Sequence, residues 1–391
     1  MSQAARHAVI LAAGASTRTR PLTEHRPKPL IPLLGRPLLA HILDALHGLI
    51  ERATLVVGYR ADQIEAAFGA SYRGIALRYT VQQQVNGTAG ALLAAAPLAE
   101  PFFLLYGDNL IAREDVLGVS GRLNMLAGLP VADARAFGVL DCIGDRVQRI
   151  IEKPQDPPPH PLANPGVFHF GAEAAELAAQ IRPSPRGELE LTDLIELLAA
   201  RGPVGYHICQ GHWIPVGTPW EALAAARYLL RTTVTEDTIT RGALIAPTAE
   251  IRGPVTIAAG AQIGPHARII GPAYIGAGAE VARGAVLIES VLEPNTVLDS
   301  GAQLIGSVLS RGAHVGAHAV VRNSWLDDEA RIGAGSLVNA AEHEALQPAA
   351  ATCGRLMLRE QRTLGAVIGR DVNLPVGTIL NSGSIVTTSG A

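Results

Sequence analysis

The chain is predicted to fold as an α/β domain over residues 1–232, followed over residues 237–391 by a left-handed parallel β-helix. Three observations carry this. Up to about residue 230, short aliphatic runs alternate with helical patterns, as in strands joined by crossover helices. Beyond Thr235 aliphatic residues recur every six positions, at Ile239, Ile245, Ile251, Ile257, Ile263, Ile269, Ile275, Val281 and Leu287. Then Glu289-Ser-Val-Leu292, Gly306-Ser-Val-Leu309 and Asn323-Ser-Trp-Leu326 recur at a spacing of 17.

In order along the chain, residues 8–13 read as a first strand running into a Gly/Ser/Thr/Arg loop, 37–49 as an apolar helix, 53–57 as a strand and 62–68 as a helix. Residues 102–106 form a buried strand ending in Gly107-Asp108. Ligands of such sheets gather at the carboxyl ends of the strands, where both the first loop and Asp108 fall. A six-residue period suits neither a helix nor a flat strand. It suits a three-sided coil in which one aliphatic side chain per short strand points inward and small residues turn the corners. The spacing of 17 reads as an 18-residue turn with one residue deleted. The pattern breaks near 339–366 and resumes at Ile368, Leu374, Leu380 and Val386, so an insertion leaves the coil there, either a working loop or a plain surface excursion.

Composition narrows the function. Of 391 residues 48% are hydrophobic and 17% charged, enough to bury cores in both parts and too apolar for a disordered chain. Lys and Arg total 32 against 35 Asp and Glu, a net charge of -3 that exerts no general pull on nucleic acid or an anionic membrane. No apolar run approaches the roughly 20 residues of a membrane span. The three cysteines, Cys142, Cys209 and Cys353, are odd in number and far apart, which fits a reducing compartment, and the cytoplasm is the expected location. Only two of the 32 basic residues are lysine, Lys28 and Lys153. Both sit inside motifs, as if a compact ammonium were needed where a planar guanidinium would not fit.

The loop after the first strand, Gly14-Ala-Ser-Thr-Arg18, is followed by Arg20, Arg26 and Lys28. Backbone amides in such a loop can cradle phosphates, and clustered cations can neutralise them. It lacks the Gly-Lys-Ser/Thr ending of a P-loop and the Gly-x-Gly-x-x-Gly of a dinucleotide site. The longer string, Leu-Ala-Ala-Gly-x-x-Thr-Arg-x-x-Pro-Leu-Thr and then Arg26-Pro-Lys28-Pro-Leu, resembles the signature of the sugar-1-phosphate nucleotidyltransferases. Further motifs follow in that family's order: Gln82 ahead of Gly87-Thr88, Tyr106-Gly107-Asp108-Asn109, Phe137-Gly138-Val139, Glu152-Lys153-Pro154, Asn164-Pro-Gly166 and Gly187-Glu-Leu-Glu190-Leu-Thr-Asp193. The resemblance covers the whole first domain and implies a Rossmann-like, mixed and mostly parallel sheet. It also implies that Ala12, Ala13 and Gly14 hold nucleotide phosphates, Arg18 and Lys28 act on the reacting phosphates, and Gln82, Gly87 and Thr88 receive the nucleotide. Asp108 would bind Mg²⁺, and Gly138, Glu152, Lys153 and Asn164 would hold the sugar phosphate. The nucleophile is already an anion, so the chemistry needs alignment and charge neutralisation more than a general base.

Two positions depart from the family pattern. Ser16 stands where the family has a glycine. In Trp213-Ile-Pro215-Val-Gly217-Thr-Pro219, Pro215 stands where the family places a second metal-binding aspartate. A weak or inactive transferase serving as a scaffold is therefore one alternative. The coil resembles those of archaeal-type bifunctional nucleotidyltransferase/acetyltransferases and of long thymidylyltransferases, partly through Leu364-Gly-Ala-Val-Ile-Gly-Arg-Asp-Val372. An acetyltransferase using acetyl-CoA on glucosamine 1-phosphate is the other alternative, with Asn339 and His343 as its base loop and Arg355, Arg359 and Arg362 as phosphate contacts. His266, His314 and His318 are expected at coil corners. The favoured reading is condensation of UTP or dTTP with a glucose- or N-acetylglucosamine-type 1-phosphate, in a homo-oligomer joined through the coil.

Overall fold

The computed structural model describes residues 5–342 and 363–388. Eleven strands of the first domain form one mixed sheet. Its parallel centre runs Ile75–Val81, Arg52–Val57, His7–Ala12, Phe102–Tyr106, with His7 opposite both Arg52 and Phe102. The sheet then turns antiparallel through Val167–Phe170 and continues across Met125–Pro130 to the hairpin Gly138–Ile143 and Arg146–Glu152. Residues 8–10 at the centre are wholly buried, as expected of a strand covered on both faces.

The helix predicted over 37–49 spans Leu38–Leu46. Pro37 is extended and pairs with Pro32, so it caps the helix from outside. At the other end Gly48, at φ 74°, takes the chain out of the helix. The remaining predicted elements agree within a residue at each end.

The second domain is a left-handed parallel β-helix of three sheets, with eight, seven and seven strands. Ile257, Ile275, Leu292, Leu309, Leu326 and Ile368 stack inward on one side, Ile263, Val281, Leu298, Val315 and Ile332 on the second, and Ile269, Leu287, Leu304, Val321 and Val338 on the third. The 17-residue turns are shortened at one corner, after Ile288, Ile305 and Arg322. The serine of each repeated motif repairs the ladder there. Ser290, Ser307 and Ser324 donate their hydroxyls to the carbonyls two residues back, and they accept the backbone N–H of Ser307, Ser324 and Ala366 on the next turn. Each buried amide so keeps a partner.

The insertion leaves through the antiparallel pair Ala341–Glu342 and Thr363–Leu364. His343, Arg355, Arg359 and Arg362 lie outside the described residues. Asn339 is half-buried, and its backbone N–H donates to Leu380 O at 3.0 Å. His266 and His318 turn corners at φ 60° and 58°. His314 does not: it sits outward in the strand His314–Val315, between Val297 and Arg331 in register, where a strand backbone leaves no corner to fill.

The two domains share a core. Val291, Val308, Trp325 and Val367, outward residues of the first coil face, pack with the apolar core of the sheet domain. The helix Pro219–Thr233 adds polar ties, with Arg227 donating to Asn323 at 3.2 Å and Arg231 pairing with Glu289 at 2.9 Å. Among the described residues no helix is long and apolar enough to cross a membrane.

Candidate active site

A cavity of about 350 Å³ opens at the carboxyl ends of the central strands. It is lined by Ala12, Ala13, Gly14, Gln82, Gly87 and Thr88, six of the residues expected to receive the nucleotide, by Lys28 and Asp108, expected at the reacting phosphates and at Mg²⁺, and by Ser16, Tyr106 and Glu188. Gly14 is exposed, and a Cβ built there meets nothing within 4 Å, so packing does not require this glycine. Close approach of a ligand to the backbone would. Gly87 differs: it lies at φ 105°, and a side chain would strike the backbone of Leu189 at 2.5 Å.

The loop is tied to its surroundings. Ser16 has φ 52°, the left-handed conformation that glycine adopts without strain. Its carbonyl accepts from Thr23 Oγ1 at 2.8 Å. Gln82 is buried and its amide nitrogen donates to Gly87 O at 3.0 Å, closing the five-residue loop between them. Leu189 N–H donates to Asn86 O at 2.7 Å, Leu189 O accepts Ala89 N–H at 2.9 Å and Thr88 Oγ1 accepts Leu191 N–H at 2.9 Å, so the segment after Gly187 is tied beside the cavity with Glu188 in its lining. Neither Glu188 nor Tyr106 was assigned a role from sequence, although both lie inside quoted motifs.

Lys28 and Asp108 meet. Lys28 Nζ lies 3.1 Å from Asp108 Oδ2, and the lysine side chain is 8% exposed against 44% for the carboxylate. Lys28 is carried by a short 3₁₀ turn, Lys28–Leu30, between Pro27 and Pro29. Pro215 pairs with Asn109 in the antiparallel strands Trp213–Pro215 and Asn109–Ile111, and Val216 N–H donates to Asp108 O at 2.9 Å. Pro215 is therefore beside Asp108, where the resemblance put it. Among the described residues no three His, Cys, Asp or Glu side chains gather into a metal cage. A half-exposed single carboxylate fits a cation that arrives on substrate phosphates and keeps its waters.

Two cations expected at the phosphates are elsewhere. Arg18 is exposed beside Gly217 and does not line the cavity. Arg26 turns away from it, and its Nη2 pairs with Asp327 Oδ1 at 2.5 Å and Asp328 Oδ2 at 2.8 Å on the β-helix. Pro27, between Arg26 and the 3₁₀ turn that carries Lys28, is extended at φ -70° and ψ 150°.

The expected sugar-phosphate residues form a second group next to the cavity. Asn164 N–H donates to Gly138 O at 2.8 Å, and Lys153 N–H donates to Phe137 O at 3.0 Å. Glu152 lies 3.7 Å from both Lys153 and Arg186, and Arg186 pairs with Glu190 at 2.8 Å. Arg186 adds a cation that the sequence reading did not single out. Tyr106 joins the two groups: it lines the cavity, and Asn164 is its hydrogen-bonding neighbour. Burial, reinforced by the carboxylates of Glu152 and Asp108, raises its phenol pKa far above the ordinary range, so it stays protonated.

The family profile described as Nucleotidyl transferase matches residues 7–232, and one described as GlmU-like, C-terminal hexapeptide matches 267–347. The bifunctional protein GlmU of Methanocaldococcus jannaschii is 34% identical over 226 residues, covering 57% of this chain and 54% of that protein. A bifunctional sugar-1-phosphate nucleotidylyltransferase/acetyltransferase of Sulfurisphaera tokodaii is 30% identical over 227 residues, with 57% and 55% covered. The UTP–glucose-1-phosphate uridylyltransferase AglF of Haloferax volcanii is 33% identical over 210 residues, covering 50% of this chain and 84% of AglF. The match thus spans about half the length of the curated bifunctional relatives. A crystal structure of UDP-glucose pyrophosphorylase complexed with UDP-glucose shares the fold at a TM-score of 0.53 and 21% identity, covering 58% of this chain and 99% of that one. On the profile match and the AglF likeness, both centred on the domain that holds the cavity, the chain belongs to the nucleotidyl transferase family.

Proposed function

We propose that this protein condenses a nucleoside triphosphate, UTP or dTTP, with a glucose- or N-acetylglucosamine-type sugar 1-phosphate, releasing pyrophosphate and the NDP-sugar. The observation that carries the reading is the convergence of the Gly14 loop, Lys28 and Asp108 on one cavity whose far wall is Gln82, Gly87 and Thr88. The sugar 1-phosphate oxygen attacks the α-phosphorus, and the bond from that phosphorus to the bridging oxygen of pyrophosphate breaks. Lys28, which lines the cavity, would offset charge at the reacting phosphates; Arg18, exposed beside Gly217 and outside the cavity, would have to swing inward to meet the departing pyrophosphate. Gly138, Glu152 and Asn164 hold the sugar, with Lys153 near its phosphate. Mg²⁺ would supply charge neutralisation at the same phosphates, and Asp108 is the residue that would hold it. Because both substrates are cytoplasmic metabolites, we place the reaction there.

The β-helix supports two further readings. The GlmU-like hexapeptide match and the hairpin base at Ala341–Glu342 and Thr363–Leu364 favour a second activity, acetyl transfer from acetyl-CoA to glucosamine 1-phosphate. Half-buried Ile270, Ile288 and Ile305 stack as one apolar column on the third coil face, and Val286, Val320 and Leu337 lie in the neighbouring column, which Gln303 interrupts; this partly apolar face supports a homo-oligomer. The primary test is pyrophosphate release with Mg²⁺, crossing UTP, dTTP, GTP, ATP and CTP with glucose, N-acetylglucosamine and mannose 1-phosphates. Turnover with UTP or dTTP that is abolished by Asp108→Asn supports the proposal. Absence of turnover with every pair overturns it.

A further inference from the structure

We propose that Asp327 on the β-helix is a positioning residue for the transferase site, holding Lys28 in place through Arg26. The inference rests on the function proposed above. The segment between the first strand and the first long helix is braced by the coil at three points. Gly369 packs on Pro21, where a Cβ would lie 3.1 Å from the proline ring. Arg26 pairs with Asp327 and Asp328. Glu293 accepts Gly35 N–H through both oxygens, at 2.9 and 3.1 Å.

The middle brace is the one that reaches the chemistry. A single residue, Pro27, separates Arg26 from Lys28, and its ring fixes φ, here -70°. Leu30 N–H donates to Pro27 O and Ile31 N–H to Lys28 O, so the link and the turn that carries Lys28 are one stiff unit. A displacement of Arg26 must therefore move Lys28, whose Nζ is 3.1 Å from Asp108. Asp327 is itself anchored from the following coil turn. Its N–H donates to Ile368 O at 2.8 Å, and Asp328 O accepts Asp371 N–H at 3.0 Å.

Adhesion between the domains does not call for this pair. Val291, Val308, Trp325 and Val367 already provide an apolar contact. A buried ion pair is a poor stabiliser compared with apolar packing, because both charges lose water; Arg26 is 12% exposed and Asp327 2%. What an arginine held by two carboxylates supplies is a fixed direction. Its place two residues from Lys28 gives that direction a use.

The test uses the full chain in two arms. In the first, kcat and KM for both substrates are measured for Asp327→Asn, Glu293→Gln, Lys28→Gln and the double variant Asp327→Asn/Lys28→Gln, with the unfolding midpoint of each. Asp327→Asn is expected to lower kcat about 10-fold to 100-fold, the scale of a misplacement near 1 Å, with little change in KM. It should have no further effect once Lys28 is gone. Glu293→Gln removes a charge from the same interface and should leave kcat within about twofold. The second arm needs no turnover. Because the chain has two lysines, [ε-¹³C]lysine labelling gives two lysine signals, assigned by Lys28→Arg. Asp327→Asn should move the Lys28 signal and leave that of Lys153, while Glu293→Gln should move neither. An unmoved Lys28 signal, a loss of kcat that merely follows the unfolding midpoint in both interface variants, or additive losses in the double variant overturns the inference. A native chain without turnover but with the Lys28 shift would instead sink the proposed reaction and keep the coupling.

Discussion

Replacing Lys28 separates a catalytic charge from a structural one. In the structure its ammonium faces Asp108, a carboxylate 44% open to water, so losing the charge strands no buried partner. With the ammonium buried and the carboxylate half open, the cost of desolvating the lysine offsets much of the attraction, so the pair should be worth about 1 kcal/mol or less to folding. Occupied by substrate phosphates, the cavity excludes that water. A preorganised donor aimed at developing charge is then worth roughly 3–4 kcal/mol, or 10²–10³ in rate. Lys28→Gln keeps much of the stem and is expected to lower kcat by about 10²–10³ while shifting the unfolding midpoint by no more than about 2–4 °C. Lys28→Arg keeps the charge but must fit a broader head where the lysine is 8% exposed between two prolines, so it should recover only part of the rate. Pyrophosphate release beside a thermal melt measures both. If Lys28→Gln retains a rate within about threefold of native, or collapses thermally, the assignment of its charge to the reaction is wrong.

The other predictions address the metal, the coil and the interface. Pro215→Asp places a second carboxylate across from Asn109 and beside Asp108, and should lower the Mg²⁺ concentration for half-maximal rate by about an order of magnitude. An unchanged Mg²⁺ titration would show that this position does not face the metal. Ser307→Ala leaves the buried N–H of Ser324 without its acceptor, while Ile305 O still receives Asn323 N–H, so the cost should be about 1–3 kcal/mol in denaturant unfolding. A loss below about 0.5 kcal/mol would mean the serine column does not replace the shortened backbone. Glu293 is pushed up to about 7 by burial, with Asp328 adding to the rise and Gly35 N–H, Arg311 and Arg26 opposing it. A raised carboxyl pKa contributes stability that is complete below about pH 4.5 and is lost as pH rises through 7. Native protein should therefore lose up to about 3 kcal/mol more than Glu293→Gln between pH 4.5 and 8, and equal or opposite slopes would contradict the burial. Asp327, also pushed up to about 7 by burial, acts with the same sign in both proteins.

The parts legible in the sequence were those whose physics is local. A six-residue period follows from one inward side chain per strand, and the spacing of 17 gave the register from Leu292 to Leu309 and on to Leu326 without any knowledge of contacts. The cavity was legible for the same reason, since its lining comes from short motifs at strand ends. Arg26 was misplaced because charge in a cation-rich loop was taken as charge on a ligand, whereas its partners lie 301 and 302 residues away. Glu188 was missed because its position depends on Leu189 and Leu191 pairing with Asn86, Ala89 and Thr88, about 100 residues earlier in the chain.

Register, once known, carries more than the period alone. Outward columns of a three-sided coil can be compared face by face, and here they differ. The face that meets the sheet domain shows Val291, Val308, Trp325 and Val367, all buried, while the second shows Gln262, Glu280, Val297, His314, Arg331 and Asn373, polar at all but one of these positions. The same shift by 17 that aligns Leu292, Leu309 and Leu326 also aligns Glu293, Ser310 and Asp327 on the edge of the covered face. A polar column beside an apolar one, holding two buried acids, requires donors from whatever covers it. Gly35 N–H and Arg26 are those donors, both from the segment that carries Lys28. The repeat thus encodes the coil together with the edge by which it grips the transferase signature.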